Sequence, residues 1–90
     1  MENPLERIRK EYGLTKPEMA AVMETSYTGY NNYASGKAFA GKKKLKLVAE
    51  FFGVDFDLLV KEMEEYKKFI TARRREEAMK KVRKKIRRAS

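Results

Sequence analysis

The side chains best equipped for chemistry crowd into one short stretch: Tyr27, Thr28, Asn31 and Asn32. None is a nucleophile beside a base, and none is a strong metal ligand. Their shared capacity is neutral hydrogen bonding. A carboxamide donates and accepts at once and pairs bidentately with adenine N6 and N7, while threonine contacts a thymine methyl or accepts a hydrogen bond. The Tyr27 phenol suits either a base edge or a stack on the sugar-phosphate backbone. If Ser26 to Ala34 is a helix, a turn of about 100° per residue places Thr28, Asn31 and Asn32 near 100°, 40° and 140° from Tyr27. Gly29, Tyr33 and Tyr30 then fall at about 200°, 240° and 300°. The polar face is ordinary solvated surface unless its neighbours present it to a ligand, and the aromatic face opposite is expected to pack inward on Ala20 and Met23.

Those neighbours are legible. Asn3, Pro4 and Glu6 mark a first helix start, read as a capping box, with Leu5, Ile8 and Tyr12 on one face and Gly13 as the stop. Thr15 and Glu18 form a second capping box for a helix over Lys16 to Met23, with Pro17 tolerated in its first turn. Ser26 caps the third helix after the turn Met23-Glu24-Thr25. Ser35-Gly36-Lys37 ends that helix, and Ala38 to Gly41 is a loop. Lys42 to Phe52 is a fourth helix with Leu45, Val48 and Phe52 inward. Asp55 caps a fifth, which carries Leu58 and Leu59 inward. No stretch alternates with period two, so no sheet is expected. Two short helices joined by a tight turn form the unit that lays a helix in the DNA major groove.

The charge is placed unevenly. Lys and Arg number 22 against 13 Asp and Glu, a net of +9. Residues 1–60 carry 9 basic and 8 acidic side chains, and residues 61–90 carry 13 and 5. Nearly all the excess sits in the last third, a block that seeks a polyanion. The composition step near residue 60 divides a DNA-binding module (1–60) from a basic extension (61–90). With no cysteine and no histidine, disulfides, zinc sites, thiol nucleophiles and imidazole bases are excluded. No signal peptide or membrane-length apolar run is present. A cytoplasmic, nucleoid-associated protein without a cofactor and without enzymatic activity is expected.

Taken in order, Gly13-Leu14-Thr15, Glu18-Met19-Ala20, Ser26, Tyr33, Gly36-Lys37, Leu45, Ala49 and the run FFGVDFDLL (51–59) resemble Cro/CI-type helix-turn-helix repressors, the XRE family. The resemblance implies an all-α, five-helix, lambda-repressor-like bundle that binds operator DNA, generally as a two-fold homodimer. It places Tyr27, Thr28 and Asn32 at base-reading positions, with Asn31 next. Lys16, Ser26, Lys37, Lys42, Lys43 and Lys44 are expected along the DNA backbone, where contacts position without reading sequence. The N-terminus of the second helix is expected to add amide donors there. Departures from the pattern include Glu24 in place of the turn glycine, at a left-handed cost of about 1–2 kcal/mol. Gly29 weakens its helix by about 1 kcal/mol relative to alanine.

The extension has no counterpart in the minimal family. Met63, Tyr66 and Ile70 form one apolar stripe, expected to dock on the bundle or a sister subunit. Ala78, Met79, Val82, Ile86 and Ala89 form another, a dimer seam opposed by flanking like charges. Arg73, Arg74, Arg75, Lys80, Lys81, Arg83, Lys84, Lys85, Arg87 and Arg88 are expected to contact phosphates, in a tail partly disordered until it does so. The leading function is a repressor of phage or mobile-element type on an inverted-repeat operator. The alternatives are an antitoxin-type autoregulator with a protein partner and a sequence-independent architectural nucleic-acid binder.

Overall fold

A computed structural model describes residues 1–89, with side chains through Arg87; the expected contacts of Arg88 and Ala89 lie outside the described side chains. Five helices follow in order: α1 Pro4–Glu11, α2 Lys16–Val22, α3 Tyr27–Ala34, α4 Lys42–Phe52 and α5 Phe56–Ala89. There is no strand among the described residues.

Each start has a local cause. The Asn3 carboxamide oxygen accepts from Leu5 N at 3.0 Å, and Pro4, with no N–H to satisfy, opens α1. The reciprocal bond expected from Glu6 is absent. Its carboxylate instead accepts from Arg9 Nε at 2.5 Å and from the Tyr30 hydroxyl at 3.4 Å. A buried phenol needs a partner, and Glu6 supplies it. In α2 the box closes both ways: Glu18 N donates to Thr15 Oγ1 and Thr15 N to Glu18 Oε1. Those bonds hold the Glu18 carboxyl below its ordinary range. Asp55 accepts from Leu58 N at 2.9 Å and starts α5.

The core gathers one face from each helix. Leu5 and Ile8 come from α1, Met19 and Ala20 from α2, with Met23 just past its end, Tyr30 from α3, and Leu45, Val48 and Ala49 from α4. From α5 come Leu59, Met63 and Tyr66, with Ile70 packed at the margin. The first stripe of the basic extension thus docks on its own bundle. Leu58 corrects the expectation: it is 56% exposed while Leu59 is 2%. Adjacent helical residues point about 100° apart, so the buried line 59-63-66-70 leaves Leu58 outside. The loop after α3 also enters the core, through Ala40 and through Phe39, whose ring meets that of Tyr66 edge-on at 6.3 Å.

Asn3 is buried and does more than cap. Its amide nitrogen donates to Tyr33 O at 2.8 Å and Ala34 O at 3.3 Å, joining the start of α1 to the last turn of α3. Arg9 links α1 to the start of α2 by donating to Leu14 O at 2.8 Å. Its hydrogen bond to Glu6 raises the guanidinium pKa further. Arg7 pairs with Glu62 at 2.6 Å and fastens α1 to α5.

Packing does not end where the charge step falls. Residue 60 lies inside α5, and contact with the bundle continues to Ile70 and Arg74. Beyond them the helix projects. A 34-residue helix is about 51 Å long, and the molecule measures 57 × 25 × 21 Å. Its radius of gyration of 16.3 Å exceeds the roughly 12 Å of a compact chain this size.

Asn3→Ala removes one cap and two interhelical donors, and is expected to lower unfolding free energy by about 2 kcal/mol in denaturant titration. Asn3→Asp keeps the cap oxygen but points a buried carboxylate at two carbonyls, and should cost more. Burial raises the Tyr30 pKa, with the Glu6 charge acting in the same direction. The folded phenol therefore stays neutral where the unfolded one ionises. Its contribution is complete below about pH 10 and is lost as pH climbs above that. Stability measured across that range should fall less steeply for Tyr30→Phe.

Candidate nucleic-acid interface

The third helix is set by its two ends and its buried ring. Ser26 Oγ accepts from Gly29 N at 3.0 Å, and Asn3 holds the carbonyls of Tyr33 and Ala34. Tyr30 is completely buried. With that side inward, the opposite side of α3 must face out. Tyr27 and Thr28 are exposed, and Asn31 and Asn32 are half-buried. Tyr33 is half-buried beside the core rather than within it.

Asn31 and Asn32 do not stand alone. They line a shallow depression with Lys16 from the start of α2, Ser35 and Lys37 from the end of α3, and Glu6 from α1. Two ammonium groups and two carboxamides thus border one concavity beside the outward face of α3. Lysine there attracts phosphate as a point charge, and carboxamides hydrogen-bond either phosphate oxygens or base edges. The structure brings Lys16, Lys37, Asn31 and Asn32 together. It places Lys42 and Lys43 apart from them, exposed on the first turn of α4.

Several side chains expected along the DNA backbone have other work. Lys44 Nζ donates to Glu24 O at 2.8 Å across the turn between α2 and α3. Glu24 is the one described non-glycine residue with positive φ, at 51°, which is the left-handed turn that its position implied. Lys44 satisfies the carbonyl of that strained residue, an anchor invisible in the local sequence. The amide donors expected at the α2 N-terminus are largely spent. Thr15 N and Glu18 N serve the capping box, and Pro17 has no N–H. Ser26 uses its oxygen as the α3 cap, which leaves its hydroxyl hydrogen for a phosphate.

The extension divides likewise. Arg74 donates to Gly36 O, just past the end of α3. Gly36 has φ +77°, and a Cβ there would come within 3.3 Å of the Tyr66 hydroxyl and 3.6 Å of Ile70 Cγ2. The glycine therefore permits both the turn and the close approach of α5. Arg73 lies over the Phe69 ring at 5.7 Å. Arg75, Lys80, Lys81, Arg83, Lys84, Lys85 and Arg87 lie exposed on the projecting part of α5.

Gly29 has a reason that helix propensity does not supply. A Cβ at this position would sit 2.4 Å from Thr25 Oγ1 and 3.2 Å from Ser26 Oγ. The missing side chain lets the turn fold back over the first turn of α3.

A family model described as Helix-turn-helix, HTH_3, matches residues 5–59. This chain belongs to the XRE-type helix-turn-helix family. It is a DNA-binding transcriptional regulator. No curated protein and no solved structure matches the chain. The family match stops at residue 59, just inside α5, so the docked segment with Met63, Tyr66 and Ile70 and the projecting basic part are both left to be read from their own residues. No helix among the described residues is long and apolar enough to cross a membrane.

Alanine at a helix glycine ordinarily gains up to about 1 kcal/mol. Gly29→Ala is expected to forfeit that gain because Thr25 must move. Adding Thr25→Ala should recover it, a coupling measurable by a double-mutant cycle of unfolding free energies.

Proposed function

We propose that the protein is a sequence-specific repressor that binds an inverted-repeat operator as a homodimer, with α3 in the major groove. The observation that carries this reading is the outward face of α3. Tyr27, Thr28, Asn31 and Asn32 are accessible beside a depression bordered by Lys16 and Lys37. Thr28 and Asn32 read bases. Asn32 offers adenine a bidentate partner, and Thr28 offers a methyl and a hydroxyl. Asn31, which also lines the depression, joins Lys16 and Lys37 in fixing register on the phosphates and reaches an adjacent base. Tyr27, exposed on the first turn of α3, reaches a base edge or stacks on the sugar-phosphate backbone. Ser26, Lys42 and Lys43 add backbone contacts.

The projecting half of α5 adds affinity without sequence information. Taking Leu59 as zero, Lys80, Lys81 and Lys84 fall at about 300°, 40° and 340°. They therefore continue the side on which Leu59, Met63 and Tyr66 meet the bundle. Repression follows from occupancy: a dimer over a promoter excludes polymerase.

Two measurements test the reading. Selection of binding sites from random duplexes should return a two-fold symmetric motif. Asn32→Ala should then cost about 1–3 kcal/mol and relax preference at one position in each half-site. An unchanged motif would remove Asn32 from base reading. Neutralising Lys80, Lys81 and Lys84 to glutamine should weaken binding to all sequences alike. It should also reduce the slope of log K against log salt by about 0.9 for each phosphate no longer neutralised.

A further inference from the structure

The apolar line of α5 changes sides along the helix. Relative to Leu59, the residues Met63, Tyr66 and Ile70 lie at about 40°, 340° and 20°. Met79, Val82 and Ile86 lie at about 200°, 140° and 180°. The first set is packed on the bundle. The second points away from it and is exposed: Met79 43%, Val82 47%, Ile86 62%. Ala72, Arg75, Met79, Val82 and Ile86 alternate steps of three and four residues, the spacing of a coiled-coil seam. The near part of this face, Lys68, Ala72, Arg75 and Met79, borders an open furrow flanked by Glu76, Lys80 and Arg83, and Val82 and Ile86 extend the line beyond it.

We infer that this face is the docking site for α5 of a second copy of the chain, packed antiparallel about a two-fold axis between Lys80 and Lys81. The charges select the direction. In a parallel pair, Arg75 would meet Arg75 of the second copy inside the seam. In the antiparallel pair, Met79 meets Val82, and Ile86 meets the aliphatic stem of Arg75. Glu76 also faces Arg83 of the second copy, and the symmetry makes that ion pair twice. This deepens the homodimer reading above by naming the surface, and its test uses no DNA, so either reading can fail alone.

The same helix carries the charge that opposes the contact. Residues 61–90 hold 13 basic and 5 acidic side chains, and pairing brings two such blocks together. Repulsion between them reaches about 10 Å at 0.1 M salt and about 3 Å at 1 M. Salt should therefore tighten this dimer, the opposite of its effect on phosphate binding. Phosphates along the Lys80, Lys81 and Lys84 side would neutralise the same repulsion, so a polyanion promotes closure of the seam.

Sedimentation equilibrium of the full chain without DNA, at 0.1 M and 1 M sodium chloride, is the test. The dimer constant is expected to tighten roughly tenfold or more with salt. Val82→Gln with Ile86→Gln removes the seam while leaving the charge unchanged, and should stay monomeric at both salts with helix content intact by circular dichroism. Glu76→Arg should weaken the dimer, and adding Arg83→Glu should restore it. A chain monomeric throughout, a dimer indifferent to Val82 and Ile86, or a Glu76→Arg defect that Arg83→Glu leaves unrepaired would each overturn the proposal. So would a monomer that cosediments with anionic phospholipid vesicles in a manner requiring Val82 and Ile86.

Discussion

The rotation of α3 about its own axis depends on Tyr30. Its ring is completely buried, and its hydroxyl reaches the Glu6 carboxylate that also accepts from Arg9. A tyrosine so held gives a short helix one orientation. Turned by a single residue, α3 would carry its apolar side into solvent and its amides into the core, where unpaired polar groups cost several kcal/mol. The outward placement of Thr28, Asn31 and Asn32 is therefore a consequence of packing on the other side of the helix.

Around that ring, the bundle is joined by polar contacts spanning long sequence separations. Asn3 reaches the α3 carbonyls, Lys44 reaches the left-handed turn at Glu24, and Arg74 reaches the carbonyl of Gly36. Each satisfies a carbonyl at a helix end or turn, where the backbone lacks an intrahelical partner. All three converge on the boundaries of α3. Such a short helix gains little from its own hydrogen bonds, so its definition comes from what holds its ends.

The last helix has two characters on one continuous rod. Up to Ile70 it packs on the bundle, with Tyr66 and Ile70 against Gly36 and Phe39 at the Tyr66 ring, and Arg74 adds a last hydrogen bond to Gly36 O. Past that point it presents basic side chains on the side that had faced the bundle and an apolar line on the opposite side. A helix is continuous in backbone and indifferent to which face is buried, so an element begun as core extends into solvent without a break in hydrogen bonding.

Much of this was written in local sequence. The caps at Asn3, Thr15, Ser26 and Asp55, the helix-turn-helix spacing and the two apolar stripes of α5 all follow from short-range rules, whereas the left-handed turn at Glu24 was implied by the resemblance to the family. Those rules concern a residue and its near neighbours, which is why they survive translation into structure. They failed where distant partners compete. Glu6 left its capping box for Tyr30 and Arg9, and Lys44 and Arg74 turned to backbone carbonyls, while Leu58 lost the core to Leu59 because one line of α5 faces the bundle. Phe39 and Ala40 entered the core from a loop with no periodicity to betray them. Sequence alone determined where each helix begins and most of what lines its inward face. Only the tertiary structure decided which charged groups hold the fold and which stay available to a ligand, because a carbonyl left open at one helix end draws a donor from wherever the chain brings one near.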